Sequence, residues 1–506
     1  MPTSSSLSAR RLAVITLITA AAAIVYELLI GTISTYLNGD SALQYSLTIG
    51  VFLAAMGIGA YLARAIESHL VEKLILIELM LALLGGFSGL MLYAAHFSFL
   101  DGYLAFMVVL LSLLGGLVGM ELPILAELLK QHGGIKSAFA STLSYDYFGS
   151  LLGSLAFPLI LLPSLGTVKT GFVVGIVNLV AVALTIPAAS AAHRKKFHAG
   201  LVISSALIAL GLFHSASSIR WFEHRLYQDE IVYAETTRFQ RIVITQYEND
   251  LRLYSDQELQ FSSRDEYRYH EALIHPALSL LQTPGKVLII GGGDGLATRE
   301  ILKDARVNAI TLVDLDPLMT KISRELPQIR ALNQDSLHNP KVKIVNADGY
   351  RFLIETPQHF DLIVLDLPDP RTEAISRLYS REFYLLAKKK LSADGILVTQ
   401  ASSPYYARES YWCINQTLLS TSLKTLPYRV NVPAFGEWGF ILASRKTLSF
   451  DHLQLLLKHR FINAEMLRQA TVFDTDTNTV ANSPVSSLET PYVWRLYRKR
   501  VHYWRS

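Results

Sequence analysis

The sequence has little cysteine and little charge. Cys413 is the only cysteine among 506 residues, which excludes an internal disulfide framework and any zinc or iron–sulfur site built from several cysteines. Asp, Glu, Lys and Arg make up only 17% of the chain and hydrophobic residues 51%, so it is neither disordered nor fibrous. The formal net charge is +4 with acids and bases interspersed. Although the stretch 495–505 is basic and aromatic, this balance predicts no nucleic-acid partner.

The few charges are concentrated in the second part of the chain. Only 19 of the 88 charged residues precede Phe197, and this first part consists mostly of apolar runs. Each run is long enough, at about 1.5 Å per residue, to cross roughly 30 Å of hydrocarbon. We therefore predict an α-helical multi-span membrane bundle over residues 1–218, with the lipid bilayer as partner. The runs lie near 12–36, 43–63, 74–95, 103–126, 138–162, 168–188 and 199–216.

Basic residues mark every second connection of this bundle. They lie before the first run, in the loops 64–73 and 130–136, and at 194–196. The positive-inside rule places these connections and the N-terminus in the cytoplasm. With seven crossings, the second half of the chain would then lie outside.

Four acids lie at membrane depth, where an ionisable side chain is costly and faces the bundle interior. A row of carboxylates could hold an organic cation, or it could form hydrogen bonds between helices with Tyr26, Tyr145 or Asn178. The sequence leaves both interpretations open. The four acids are Glu27, Glu78, Glu121 and Asp146.

The hydrophobic pattern changes twice in the second half of the chain. Residues 219–283 show period-2 alternation around a turn at 248–250, which predicts a small antiparallel β domain. Residues 284–450 alternate short apolar strands with helical stretches, which predicts an α/β Rossmann-like, methyltransferase-type doubly wound domain. Residues 451–506 are left as a C-terminal tail.

A glycine turn follows the first strand of the predicted Rossmann-like domain. The run Gly291–Gly295 allows close approach of a ligand, but Leu296 or Thr298 stands where a dinucleotide fingerprint needs its third glycine. Asp294 within the turn would repel a pyrophosphate and attract a sulfonium or ammonium. This turn therefore disfavours a dinucleotide and favours a cationic nucleoside.

Acids also end the next two strands. Asp314 is positioned to accept both ribose hydroxyls, and Asp348, with Gly349, can accept from an adenine amino group. Any one of these acids could instead be an ordinary loop residue or a helix N-cap. Three successive strand ends favour an adenosine sulfonium site.

Two carboxylates three residues apart end the fourth strand. Asp366 and Asp369 would form an acidic pocket that suits a cationic co-substrate. An alkyl amine has a pKa near 10.4 and must lose a proton before it attacks carbon. Asp366 is the candidate to accept that proton, and Asp369 to neutralise a second positive charge. Alone, Asp369 before Pro370 could simply start a turn.

These motifs resemble a known family. The runs DEYRYHEALIHPAL at 265–278, VLIIGGGDGLATRE, LVDLD, NADGYRFL, FDLIVLDLPDP and GILVTQASSP look like the spermidine synthases, or polyamine aminopropyltransferases. The first half resembles that of the membrane-bound bacterial branch. The resemblance implies transfer of an aminopropyl group from decarboxylated S-adenosylmethionine to putrescine or a related polyamine. It implies no metal, no further cofactor, and a homodimer or higher homo-oligomer.

The same resemblance assigns roles to individual residues. Gln240 would contact the nucleoside, and His270 with Asp294 would line the aminopropyl and amine region. Asp314 would bind the ribose, and Asp348 with Gly349 would bind the adenine. Asp366 would be the catalytic base, and Asp369 would be the second ligand of the amine. Departures lie at 255–257, at 371–373 and in the loop 433–440, which lacks a tyrosine that often helps to hold the amine. The preferred acceptor therefore stays open.

Two other functions share these features. A methyltransferase that uses intact S-adenosylmethionine would need the same sheet and glycine turn, and a polyamine-binding transporter or sensor would use the second half only for binding. For an enzyme, the donor nucleoside is made in the cytosol, so we expect the synthase domain on the cytoplasmic side. That requires an even number of crossings, and the weakest run, 199–216, could lie in the membrane interface.

Overall fold

The structure is a computed structural model that describes residues 7–38, 41–98, 102–130, 132, 134–227 and 229–505. It forms two compact units, Met1–Gln228 and Asp229–Ser506. The predicted boundary between residues 218 and 219 falls inside the last helix of the first unit.

The described residues of the first unit form helices joined by short connections. Within them, six helical segments are long and apolar enough to cross a membrane. The fifth, Lys136–Ala188, contains 53 residues and holds two helices, so the seven predicted runs correspond to seven helices. These are α1 (Ala9–Asn38), α2 (Ser41–Ala63), α3 (Leu70–Ser98), α4 (Tyr103–Lys130), α5 (Ile135–Ala156), α6 (Leu162–Thr185) and α7 (Ala191–Tyr227).

Glycines show that α5 runs alongside α1 in the same direction. A Cβ added to Gly149 would lie 2.2 Å from the carbonyl oxygen of Leu17. One added to Gly153, a turn later, would lie 2.4 Å from that of Ala21. Only residues without a side chain permit backbones this close.

Helix α6 runs in the opposite direction. Gly171 lies beside Leu29, whereas Asn178, two turns later, accepts a hydrogen bond from Tyr26, nearer the start of α1. The chain reverses at Gly166, whose φ of 70° and ψ of −174° are not helical. The 53-residue segment is therefore a helical hairpin.

Three of the four membrane-depth acids are buried: Glu27, Glu78 and Glu121. Glu78 accepts a hydrogen bond of 2.8 Å from the Asn178 amide, and that amide's oxygen accepts one from Tyr26. This chain across α1, α3 and α6 matches the predicted helix-to-helix hydrogen bonding. Asp146 is only half-buried.

Helix α7 packs against α3 and α6 along one of its faces. Ile208 is fully buried, and a Cβ on Gly86 of α3 or on Gly175 of α6 would lie within 3.0 Å of its side chain. Gly200 lies near Leu79, earlier in α3, so α7 runs in the same direction as α3. Residues 199–216 thus form part of one continuous helix, Ala191–Tyr227, and their placement in the membrane interface stays a prediction.

The second unit begins with a four-stranded antiparallel sheet, in the order β1-β2-β3-β4. One face packs through a small apolar cluster that includes Ile242, Leu253 and Phe261, as period-2 alternation predicts. The strands are β1 (Glu230–Thr236), β2 (Arg241–Tyr247), β3 (Asp250–Ser255) and β4 (Glu258–Ser262). Helix α8 (Glu266–Leu280) follows.

A seven-stranded sheet forms the centre of this unit, in the order β10-β11-β9-β8-β5-β6-β7. Strands β5 to β9 are parallel, while β11 pairs antiparallel with both of its neighbours, β9 and β10. The chain order reverses at β5, between β6 and β8, and such a switch point opens a crevice at the carboxyl ends of the strands. The strands are β5 (Lys286–Gly291), β6 (Ala309–Asp314), β7 (Val342–Asn346), β8 (Phe360–Asp366), β9 (Leu391–Gln400), β10 (Lys424–Val432) and β11 (Gly436–Ser444).

Helices cover both faces of this sheet. Each face of the sheet has its own apolar cluster. The helices are α9 (Leu296–Leu302), α10 (Pro317–Glu325), α11 (Pro327–Asn333), α12 (Gly349–Glu355), α13 (Glu373–Ser376), α14 (Arg381–Lys390), α15 (Arg408–Leu419), α16 (Ala464–Ala470) and α17 (Tyr492–Arg505). The segment predicted as a tail is docked on this unit. Glu271 of α8 accepts hydrogen bonds from the backbone N–H groups of Arg460, Phe461 and Ile462.

Candidate active site

The glycine turn and the end of β8 touch directly. Gly291 has a φ of 84°, and a Cβ there would lie 1.9 Å from the Asp366 carbonyl oxygen. The next residue, Gly292, donates a backbone hydrogen bond of 3.1 Å to that oxygen. No residue with a side chain fits this approach, so the glycines bring Asp294 and Asp366 to one crevice.

Asp314 closes the other side of the glycine turn. Its carboxylate accepts backbone hydrogen bonds from Gly293, at 3.1 Å, and from Asp316, at 2.9 Å. A Cβ on Gly293 would lie 2.5 Å from Asp314 Oδ2. Burial raises the pKa of Asp314 to about 7, assisted by the charges of Asp316 and Asp294. These carboxylates repel one another and attract a cation.

Asp294 lies in the same electrostatic field. Its Oδ1 accepts a hydrogen bond of 2.8 Å from the backbone of Leu296. Burial raises the pKa of Asp294, the charge of His270 opposes the rise, and that of Asp366 adds to it. The turn therefore carries a carboxylate whose charge is balanced mainly by a histidine.

Asp348 is a helix cap and an ion-pair partner. Its Oδ1 accepts from the backbone N–H of Arg351 at the start of α12, and its Oδ2 pairs with the Arg377 guanidinium. Gly349 packs against the central strand, since a Cβ there would lie 2.4 Å from Ile290 Cγ2. Asp348 and Gly349 therefore lie beside β5, and the Asp348 carboxylate is already bonded to other groups of the chain.

Gln240 links the small sheet to the large one. Its Nε2 donates a 2.9 Å hydrogen bond to Asp316 Oδ2, and its Oε1 accepts one from Ser255. Thr237 donates to the same Asp316 oxygen, also at 2.9 Å. Gln240 is therefore bonded to a residue, Asp316, that lies two positions after the proposed ribose ligand Asp314.

Two aromatic residues of α8 flank Asp366. The Tyr269 hydroxyl donates to Asp366 Oδ1 at 2.8 Å. His270 is 3% exposed, and its Nδ1 lies 2.8 Å from both the carbonyl and a carboxylate oxygen of Glu266. Burial raises the pKa of Asp366, while the charge of His270 and the Tyr269 hydrogen bond oppose the rise. Asp366 is therefore poised to take up a proton.

His270 supplies positive charge to this acidic crevice. Burial alone would lower its pKa, but the hydrogen bond and charge of Glu266 outweigh burial and raise the pKa of His270 to about 9. Arg299 holds Glu266 with two hydrogen bonds, of 2.8 and 2.9 Å. It also donates to Glu300 at 2.9 Å. This buried network keeps the imidazole protonated and fixed at neutral pH.

Asp369 is bonded by neutral donors. Its Oδ2 accepts from the Tyr497 hydroxyl at 2.8 Å and from Ser402 at 3.3 Å. Gln400 donates to its Oδ1 at 3.4 Å. Burial raises the pKa of Asp369 to about 6, and the Tyr497 hydrogen bond partly offsets the rise. Because these donors are neutral, an ionised Asp369 keeps its negative charge and can pair with a cationic ligand.

Known proteins are similar to this chain in sequence. Residues 266–453 match the family model described as the spermine/spermidine synthase domain. The chain is 41% identical to a polyamine aminopropyltransferase of Leptospira interrogans, over 92% of this chain and 93% of that one. It is 40% identical to that of Oceanobacillus iheyensis, over 94% of each. A solved spermidine synthase, in complex with the transition-state analogue AdoDATO, is 25% identical with a TM-score of 0.45 and covers 48% of this chain and 86% of its own.

The chain belongs to the polyamine aminopropyltransferase family. Because these relatives match more than nine-tenths of it, they share the helical first half as well as the synthase domain. Aminopropyl transfer from decarboxylated S-adenosylmethionine is the reaction of this family, and the nucleoside is a co-substrate and not a bound cofactor. In the described part of the aminopropyltransferase, no group of three or more His, Cys, Asp or Glu side chains could hold a metal.

The candidate site contains two residues that the sequence did not identify, Tyr269 and Tyr497. Tyr269 stands in the quoted motif beside His270, so its position could have been suspected from the motif. Tyr497 has no such signal, because it follows Asp369 by 128 residues and lies outside the matched domain. The predicted residues Asp294, Asp314 and Asp366 do surround one crevice.

Proposed function

We propose that the protein transfers an aminopropyl group from decarboxylated S-adenosylmethionine to putrescine or a closely related diamine, with Asp366 as the base. The observation that carries this proposal is the contact of the Asp366 backbone with the glycine turn that bears Asp294. That contact brings the proposed proton acceptor to the site of a cationic nucleoside. The proposed products are spermidine and 5′-methylthioadenosine.

The donor would lie along the carboxyl ends of β5, β6 and β7. Asp314 would accept the ribose hydroxyls, and Gln240 would contact the nucleoside from the small sheet. Asp348 and Gly349 would contact adenine. The Asp348 carboxylate would then either bond both adenine and Arg377 or give up its ion pair with Arg377. The sulfonium and the aminopropyl ammonium would lie near Asp294, where negative charge stabilises both.

The acceptor would lie between Asp366 and Asp369. Its attacking ammonium first gives a proton to Asp366, which exposes the nitrogen lone pair. That lone pair forms the new C–N bond to the carbon next to sulfur, and the C–S bond breaks with its electron pair on sulfur. The sulfonium becomes a neutral thioether, and the positive charge moves to the new secondary ammonium. Alignment of nitrogen, carbon and sulfur supplies much of the rate.

Tyr269 and His270 would tune this base. The Tyr269 hydrogen bond orients Asp366 and limits the rise of its pKa. The protonated His270 offsets the repulsion between Asp294 and Asp366, so both can be ionised when the two cationic substrates are absent.

Product mass tests the reaction. Purified full-length protein is incubated with decarboxylated S-adenosylmethionine and a panel of amines, and intact S-adenosylmethionine serves as the alternative donor. We expect an added aminopropyl group and methylthioadenosine from the decarboxylated donor. An added methyl group from the intact donor would instead establish the methyltransferase alternative, and labelled polyamine flux in vesicles without donor would support a transporter.

We also propose that the protein is a homodimer or higher homo-oligomer in the cell inner membrane, with its synthase domain in the cytoplasm. Six apolar helical segments support the membrane location, and the cytosolic origin of the donor favours that side. The charge pattern opposes it, because seven packed helices with basic connections inside would place the end of α7 outside. Reporter fusions decide between the two arguments.

A further inference from the structure

The C-terminal helix α17 reaches the acceptor end of the crevice. Val493 is fully buried on it, and its carbonyl accepts a hydrogen bond from Ser410 of α15. Arg500 forms an ion pair with Glu409 of the same helix. Val493, Tyr497 and Arg500 are spaced by four and three residues, so they share one face of α17. The docking of this face on α15 fixes where Tyr497 points.

The Tyr497 hydroxyl ends on the acceptor carboxylate. It donates a 2.8 Å hydrogen bond to Asp369 Oδ2, which is the shortest of the three hydrogen bonds that the Asp369 carboxylate accepts in the described residues. A second anchor stands one turn away, where Trp494 Nε1 donates to the Arg371 carbonyl at 3.1 Å. Arg371 follows Asp369 by two residues, so α17 holds the loop after β8 at two points.

We propose that Tyr497 is a positioning residue for the acceptor: it orients Asp369 and keeps it ionised to receive the far ammonium of the diamine. The proposal rests on the assignment of Asp369 to the acceptor and adds a residue from a segment outside the matched synthase domain. A hydrogen bond to a charged group is stronger than one between neutral groups. Helix α17 thereby contributes to the choice of acceptor.

The charged and titratable groups around Asp369 come from several elements. They are Glu258 of β4, Tyr269 of α8, Tyr379 before α14, and Arg371 with Tyr497. Of these, only Tyr497 donates a hydrogen bond to the Asp369 carboxylate in the described contacts. Its removal should therefore favour the protonated acid and weaken binding of an ammonium.

Tyr497→Phe tests the proposal, because it keeps the ring and removes only the hydroxyl. We expect the KM for putrescine (1,4-diaminobutane) to rise roughly tenfold, which corresponds to the loss of one hydrogen bond to a charged group. The value of kcat should stay within about twofold, and the KM for the donor should not change. The acid limb of kcat/KM for the diamine should move to higher pH.

A monoamine acceptor separates this role from a structural one. n-Butylamine has no second ammonium for Asp369, so Tyr497→Phe should change its kcat/KM little. An equal loss with both amines, or an unchanged diamine KM and acid limb, would overturn the proposal. If the wild-type protein aminopropylates neither amine, the proposed function itself is wrong, and that outcome is distinct.

Two further variants complete the test. Tyr492→Phe alters a tyrosine at the exposed start of the same helix and should leave all parameters unchanged. Ser402→Ala removes the weaker 3.3 Å hydrogen bond to the same Asp369 oxygen, so it should raise the diamine KM by less than Tyr497→Phe does. This second variant keeps the test decisive if Tyr497→Phe does not fold, and an unchanged diamine KM in Ser402→Ala would then contradict the proposal.

Discussion

Tyr269 donates a 2.8 Å hydrogen bond to Oδ1 of Asp366, across 97 residues of sequence. The contact joins α8 to the end of β8 and places a phenol on the carboxylate that we propose as the base. The adjacent His270 faces Glu266, so neighbouring residues of one helix act on the crevice in different ways. One limits the pKa of Asp366 by hydrogen bonding, and the other by charge.

Replacement of Asp366 tests the base directly. We expect Asp366→Ala to lower turnover by roughly 10²–10⁴-fold, the usual contribution of a positioned proton acceptor. Binding of methylthioadenosine, measured by calorimetry, should change little, because the proposed nucleoside ligands are on other strands. Asp361→Asn is the matched control at the opposite end of β8, where Asp361 accepts from the Lys286 backbone. Turnover near the wild-type level with saturating diamine would remove Asp366 from this role.

Tyr269→Phe should lower kcat/KM by about tenfold at pH 7. The tyrosine hydrogen bond lowers the pKa of Asp366, so its loss leaves more of the carboxyl protonated and unable to accept a proton. The deficit should therefore shrink as the pH rises to 9. Tyr267→Phe, in the same helix but stacked on Arg460, serves as control. A deficit that does not depend on pH would argue against control of ionisation.

Asp369 should make the free enzyme less stable as the pH rises. Its folded-state pKa is raised from 3.8 to about 6, so the protonated form is favoured by folding. The associated stability is complete below about pH 4 and is lost as the pH rises through 6. Asp369→Asn should therefore raise the Tm by a few degrees at pH 8 and by much less at pH 4. Equal shifts at both pH values, by differential scanning fluorimetry, would contradict this linkage.

Arg299→Met should destabilise the synthase domain strongly. Arg299 is 7% exposed and its partners Glu266 and Glu300 are buried, so its loss leaves each of these two buried carboxylates with one counter-charge fewer. Breaking a buried pair in this way costs about 3–5 kcal/mol. Arg351→Met removes an exposed pair with Glu355 and should change the free energy of unfolding far less, because solvent screens such a pair. Denaturant unfolding followed by tryptophan fluorescence measures both, and similar costs would show that the buried network adds nothing.

Two reporter fusions test the proposed orientation. A phosphatase that is active only in the periplasm should be inactive when fused after Ser506. A fusion in the 98–103 connection should report the same side, because α7 runs in the same direction as α3 and both helices end together. Opposite results from the two fusions would show that one helix does not cross. Periplasmic activity in both would place the synthase domain outside.

Several features were readable from local sequence. Seven apolar runs and the alternation of short strands with helices are set by hydrophobic periodicity, which needs no partner from elsewhere in the chain. The acidic strand ends at Asp314 and Asp366 were also readable, because parallel strands must present their carboxyl ends at one edge. The sequence was less informative for Asp348, which proved to cap α12 and pair with Arg377.

The tertiary structure decided which distant groups touch. The apolar character of residues 199–216 does not show that α7 packs on α3 and α6, because that contact depends on glycines of those two helices. A C-terminal segment with no family motif places Tyr497 on Asp369. Sequence spacing carries no information on such contacts, since they exist only once α17 docks on α15 and burial fixes the direction of the side chain.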